Sequence, residues 1–324
     1  MTHILLTGAG FTHNWGAWLG SEAFEYLMGC RELDDAVRAE LWADKNRGLG
    51  FEATLGRLQQ QARTDARQMG RVQALTAALS GMFNMMDMGL KQQQFEATND
   101  MRFQLGPFLA RFDALFTLNQ DLLLERHYFP GMELMNPRRW SGAHSPGIGA
   151  PAPAHTYSAD LQVSAHRSPL PKDQFRVEGN IQPYFKLHGS SNWFADGEQM
   201  LVMGGNKHEA IGASALLRWY WERFNFHLCQ GGTKLMVIGY GFGDPHVNAA
   251  LIDAAGKGLK MFIVDPAGTD VLDRRGPNMH IKPLTDELMG TLQPTIIGAS
   301  RRVLRATFGN DPVEYGRVIG FFDA

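Results

Sequence analysis

Two apolar runs late in the chain, KLMVIGYG at residues 234–241 and KMFIVD at residues 260–265, flank the segment DPHVNAALIDAAGKG, and this spacing restricts the fold more than any other feature. Both runs are short and almost continuously apolar, which is the pattern of strands buried on two faces. The segment between them carries Asp244 as an N-cap, Pro245 at the first helical position and a glycine stop. Strand, helix and strand in so short a span form a βαβ unit, and hence a parallel sheet with helices packed on it.

Three earlier runs can join that sheet. His3–Thr7 is a short buried strand ended by Gly8, DALFTLN at residues 113–119 is apolar until it turns polar at its end, and QPYFKLH at residues 182–188 does the same. Between the first two, Val72, Leu75, Leu79, Met82, Phe83 and Met86 recur at helical spacing, as do Leu33, Val37 and Leu41 more briefly. We therefore expect a helical module over 31–111, inserted after the first strand and helix. Residues 130–180 are rich in Pro, Gly, Ser and His, with little periodicity, and read as a long excursion with room for a hairpin. The expected fold is α/β, a Rossmann-like doubly wound parallel sheet in a single domain over 1–324, with a tail over 311–324.

Composition narrows the function. With 31 basic and 33 acidic residues the net charge is −2, so nothing in the overall balance calls for nucleic acid or a membrane surface, and no direct nucleic-acid binding is expected. The only cysteines, Cys30 and Cys229, are far apart, which excludes a disulfide framework and a four-cysteine zinc ribbon within this chain. No secretory leader or bilayer-length apolar run is visible, so a cytoplasmic protein is expected. His13, His144, His155, His166 and His246 are scattered without metal-ligand spacing, and no metal is expected. GxSxG, Walker A and HExxH motifs do not occur.

The candidate chemistry lies at strand ends. Gly8-Ala9-Gly10 follows the first strand as a phosphate-binding turn would, although His13 stands where a dinucleotide fingerprint has its third glycine. Alone, such a turn serves equally well to connect strand to helix. Asn119 and Asp121 in TLNQD follow the second strand, where an ordinary helix cap is the commoner explanation. His188 closes KLH with Gly189 behind it, a place for a general base, or simply for a structural histidine, with room for a substrate. GYGFGDPHVN, residues 239–248, ends a further strand as a second backbone cradle. Four such endings in one chain, ordered as one sheet edge would need, are hard to ascribe to coincidence.

As a set, Gly-Ala-Gly, Thr-x-Asn-x-Asp, Leu-His-Gly and Gly-Tyr-Gly-Phe-x-Asp-x-His-x-Asn resemble the motifs of the sirtuins, and more closely those of the prokaryotic sirtuin-like NAD-degrading proteins of antiphage defence. The similarity runs from Gly8 to about Asp265, with a lesser echo at Phe51-Glu52. It implies that Gly8, Ala9 and Gly10 line a pyrophosphate, with Thr12 where the family has serine. It implies that Asn119 sits beside the nicotinamide ribose and orients a nucleophile, that Asp121 steadies that loop or the nicotinamide end, and that His188 is the general base, the three forming the catalytic set. Gly239, Tyr240 and Gly241 would lie under the adenosine half, Asp265 near the adenine ribose, and NAD would be the substrate.

The chain departs from deacylating sirtuins in lacking their zinc-binding cysteines and their Gly-Ile-Pro-Asp-Phe-Arg run, in whose place stands HNWGAWLGS. These departures favour simple NAD cleavage to ADP-ribose and nicotinamide over protein deacylation or ADP-ribosyl transfer, with a non-catalytic NAD- or ADP-ribose-sensing subunit as a further alternative. His13 is not expected to be catalytic. Because free-running NAD hydrolysis would harm its host, the resemblance also implies a triggered enzyme, either a homo-oligomer or the companion of a separately encoded DNA-translocating ATPase or Argonaute-like protein. The helical module and VEYGRVIGFF, residues 313–322, are the candidate contact surfaces, with plain core as the commoner role for their apolar residues.

Overall fold

A computed structural model describes residues 1–135, 139–150, 163–204, 207–273 and 287–323. Seven strands form one all-parallel sheet: β1 (His3–Thr7), β2 (Ala114–Thr117), β3 (Ala143–His144), β4 (Gln182–Lys186), β7 (Lys234–Ile238), β8 (Lys260–Val264) and β9 (Ile296–Ser300), in the order β3-β4-β2-β1-β7-β8-β9. From central β1 the chain first builds outward through β2 and β4, then crosses to build the other half through β7, β8 and β9. The reversal falls between β1 and β7, the place where a doubly wound sheet opens a crevice at its carboxyl edge.

Alternation along the strands divides the core. Leu5, Leu115, Met236 and Phe262 enter one apolar cluster, while Ile4, Leu6, Phe116, Val237 and Ile263 enter another on the opposite face. The first cluster is completed by the helices Gly20–Gly29, Asp35–Asn46, Phe51–Ala62 and Met69–Lys91, through residues such as Leu27, Val37, Leu58 and Leu79. The second is completed by the helices Ala215–Leu228 and Pro245–Ala255, through Tyr220, Phe224 and Leu251. Both faces are thus covered, as parallel strands require. Among the described residues no helix is long and apolar enough to cross a membrane.

Several expectations need correction. A hairpin not expected from the sequence lies after β4, as β5 (Gly189–Ala195) and β6 (Glu198–Leu201), while the described part of the 130–180 stretch contributes β3 to the sheet edge and an antiparallel bridge between Ile148 and Pro169; residues 151–162, His155 among them, lie outside the described residues. The signal for that hairpin is Asp196-Gly197, both at positive φ, 53° and 82°. Strand β9 escapes a reading of apolar runs because IIGAS contains a glycine and is only partly buried. Within residues 313–322, Val318 and Phe321 are buried in the core and are not free as contact surface.

Candidate active site at the sheet switch point

The turns that follow β1 and β7 are packed backbone to backbone. Gly8 N–H donates to the Ile238 carbonyl at 3.0 Å and Gly10 N–H to the Gly239 carbonyl at 2.9 Å. A Cβ on Gly8 would come within 2.7 Å of the Gly239 oxygen, and one on Gly239, at φ +63°, within 2.3 Å of the Phe11 nitrogen. These glycines are therefore required by the mutual approach of the two turns. With the Gly8 and Gly10 amides engaged, Ala9 N–H is the amide of this triplet that keeps no partner among the described residues.

The β2 end is built as a relay of hydrogen bonds. Thr7 donates to Thr117 Oγ1 at 2.7 Å, and that oxygen accepts the Asn119 amide N–H at 3.0 Å. Asn119 Nδ2 donates to the Gly8 carbonyl at 2.9 Å and to Thr12 Oγ1 at 3.3 Å. With its amide nitrogen turned to the β1 turn, Asn119 offers its carbonyl oxygen to the cavity it lines. Thr12 is thus engaged in holding Asn119, and it also donates to the Ala9 carbonyl at 3.3 Å.

Asp121 is buried behind this loop, where it accepts Leu123 N–H at 3.0 Å. Burial raises its pKa, with buried Lys186 pulling the other way, and the Lys186 ammonium bonds Glu125 at 2.8 Å. Asp87, from the inserted helix Met69–Lys91, accepts Leu122 N–H at 2.8 Å and the Ser191 hydroxyl at 2.7 Å, so the insertion is tied to both the β2 loop and β5. Burial, reinforced by the charge of Asp121, pushes the Asp87 carboxyl up to about 7.

His188 is held through its backbone. Its carbonyl accepts Val202 N–H at 2.9 Å and Gln120 Nε2 at 3.1 Å, fixing the strand end against β6. Gly189 sits at φ +77°, and a Cβ there would lie 1.9 Å from the Met200 carbonyl, so the glycine admits β6 and not, as the sequence suggested, a substrate. The imidazole Nε2 of His188 lies 2.9 Å from Nε2 of His246. Burial chiefly, with the positive charge of Lys207, lowers the His188 pKa to about 3, and burial lowers that of His246 to about 4, so both rings are neutral at physiological pH.

Beside them a charged chain closes the wall. Lys207 reaches Glu52 at 2.7 Å and Asp244 Oδ1 at 2.6 Å. Burial works against the Lys207 ammonium, but the two carboxylates more than offset it and its pKa is raised. Asp244 precedes the helix Pro245–Ala255 as expected, yet its carboxylate makes no cap bond and serves Lys207 instead. The Tyr240 hydroxyl donates to Asn248 Oδ1 at 2.9 Å, and Asn248 Nδ2 to the Phe242 carbonyl at 2.8 Å, which braces the left-handed Phe242 turn.

These groups surround one cavity of about 1060 Å³, floored by the strand ends and covered by Phe51, Met82, Phe83 and Met86 of the inserted helices. The SIR2-like domain family matches residues 113–284, more than half of the chain, from β2 through β8. The chain belongs to the SIR2-like domain family. Among solved structures, a Sir2 homolog in complex with NAD aligns over 99% of this chain and 90% of its own, at 13% identity and a TM-score of 0.42. A structure concerned with the mechanism and regulation of Sir2 enzymes aligns over 98% and 93%, at 15% identity and a TM-score of 0.40. No curated protein matches the chain.

Within this SIR2-like domain, Gly8, Ala9, Gly10, Thr12, Asn119, Asp121, His188, Gly239, Tyr240, Gly241 and Asp265 all border the same cavity. Asp265 closes β8 and accepts Ala267 N–H at 2.8 Å, while Gly241 is open, with nothing within 4 Å of where its Cβ would be. His13 stands at the rim with Nδ1 2.9 Å from the Ala17 carbonyl. What the strand-end motifs did not reveal is Lys207 at the cavity wall and Asp87 behind the β2 loop. Glu52 carried a signal in the Phe51-Glu52 echo, and His246 carried one in the Asp-x-His spacing after β7.

Proposed function

We propose that this protein hydrolyses NAD at the bond between nicotinamide and ribose, releasing nicotinamide and ADP-ribose. Membership of the SIR2-like family points to an NAD-utilising enzyme, and the observation that carries the finer reading is the meeting of Asn119 and His188 at one cavity beside the Gly8–Gly10 turn. A dinucleotide fits the residues present. The cavity volume suits it, Ala9 N–H is available to a phosphate oxygen, and Gly241 leaves the wall beneath the other half open.

Nicotinamide leaves with the electron pair of the C–N bond, which neutralises its pyridinium and puts developing positive charge on the ribose. Little covalent help is needed, so the site mainly orients and excludes. The Asn119 carbonyl oxygen orients water or a ribose hydroxyl, and neutral His188 accepts the proton as the water oxygen bonds to the anomeric carbon. An imidazole with a pKa of about 3 is a weak base, so it acts in concert with bond breaking, when the positive ribose has made the attacking water acidic. With only Cys30 and Cys229 present, the chain has no four-cysteine zinc module, which favours hydrolysis over deacylation.

In the cell this reading makes the protein a triggered NAD-depleting effector of antiphage defence, kept idle as a homo-oligomer or by a separately encoded partner. Light scattering on the purified chain tests the assembly, and a strict monomer under all conditions, including with partner present, overturns it. Chromatography of products after incubation with NAD tests the chemistry. Free ADP-ribose and nicotinamide in equal amounts support hydrolysis, whereas an O-acyl ADP-ribose or a labelled protein contradicts it.

A further inference from the structure

His188, Asp244 and His246 come from two separate segments, and their ligand atoms, two imidazole nitrogens and a carboxylate oxygen, all lie within 4.8 Å of one another at the cavity wall. The sequence places the histidines 58 residues apart, and the fold brings Nε2 to within 2.9 Å of Nε2. We propose that these three side chains form a binding site for a divalent transition-metal ion of the zinc class, and that its occupation switches the cavity off. The inhibitory half rests on the proposed NAD cleavage; the binding half stands without it.

The donor set decides the ion. Two imidazoles and one carboxylate suit zinc, nickel, copper or cobalt, whereas magnesium and calcium prefer oxygen ligands alone. Zinc binds imidazole nitrogen and carboxylate oxygen at about 2.0–2.2 Å, so ligand atoms around a tetrahedral ion stand about 3.3 Å apart. The two Nε2 atoms need to open by a few tenths of an ångström, and the Asp244 carboxylate to close in, movements that side-chain torsions supply. Lys207 holds Asp244 through Oδ1, and no hydrogen bond from a described residue engages Oδ2, which is the oxygen left to ligate. The ammonium itself repels a cation, but Glu52 at 2.7 Å gives it a second carboxylate to retreat toward. Three protein ligands leave the fourth position facing the cavity, and His188 Nε2 can no longer take a proton once it binds the metal.

The test uses the full chain stripped with a chelator, then titrated with Zn2+ by calorimetry and with Co2+ by visible absorption. The expected result is one ion per chain, with a tetrahedral Co2+ spectrum, and an affinity weakened at least about 10-fold in both Asp244→Asn and His246→Gln, near-isosteric changes checked for folding by circular dichroism. One equivalent of Zn2+ should abolish NAD cleavage, and chelator should restore it. Absent or non-stoichiometric binding, or binding undiminished in the two variants, overturns the site. Stoichiometric binding with undiminished cleavage overturns the switch. A protein that binds Zn2+ through these residues but never cleaves NAD contradicts the proposed function and the switch, and leaves the site standing.

Discussion

Asn119 Nδ2 donates to the Gly8 carbonyl at 2.9 Å, so a residue of the loop that follows β2 is oriented by the turn that follows β1. Replacing Asn119 with Asp would set a carboxylate against that carbonyl. Asn119→Asp should lose nicotinamide release and about 1–3 kcal/mol of stability, the cost of an unmet buried acceptor. Thermal melts and product assays on the same preparation check both, and a variant as stable and active as wild type would refute the orientation.

The turn pair between β1 and β7 makes a purely steric prediction. Gly239→Ala places a methyl where only 2.3 Å separates it from the Phe11 nitrogen, at a φ of +63° that alanine disfavours. We expect a loss of about 1–3 kcal/mol, seen as a melting temperature lower by several degrees. Gly241→Ala, with nothing within 4 Å of its Cβ, should melt close to wild type and so serves as the control.

Asp87 gives stability a pH dependence of defined sign. Its carboxyl is raised to about 7 in the folded protein, chiefly by burial, whereas in the unfolded chain it titrates near 4. The folded state therefore holds the proton more tightly, and this group's contribution to stability is full below about pH 4 and declines as pH rises to about 7. Asp87→Asn can still accept from Leu122 N–H and meet Ser191, without the charge. It should flatten the decline between pH 4 and 7 and be more stable than wild type at pH 8, by on the order of 1–3 kcal/mol. Denaturant titrations across pH decide it, and parallel curves for the two proteins would contradict it.

How much of this was legible in the sequence depends on whether a residue's signal is local. The apolar runs of β1, β2, β4, β7 and β8 announce buried strands, and a parallel sheet then puts Asn119, His188 and Gly239 at a common edge. The pairing of His188 with His246 depends on where the start of the helix Pro245–Ala255 lands beside β4, which no local pattern encodes. Likewise, Asp87 reads as a polar position on an amphipathic helix until the insertion folds against the β2 loop, where it accepts Leu122 N–H. Gly8 and Gly10 border the cavity and are also fixed by backbone packed on backbone, while Gly189 admits Met200 of β6, close approaches that a strand-end pattern does not disclose.

Binding can be separated from catalysis. His188→Ala removes the proposed base but none of the strand-end turns, so on this account it should bind NAD without consuming it. At an NAD concentration about 100 times its Kd, the variant should gain about 2.7 kcal/mol of stability. Thermal shift with increasing NAD measures this, and no shift at any concentration would mean that the cavity is not an NAD site.

The most direct test of the central claim is the release of nicotinamide and ADP-ribose from NAD by the purified protein, beside folded Asn119→Ala and His188→Ala. The account predicts turnover by the wild type, with its trigger or partner supplied if needed, and a loss of about 10²–10⁴-fold in each variant. Turnover that survives in both variants, or a wild type that leaves NAD intact under every condition, would contradict it.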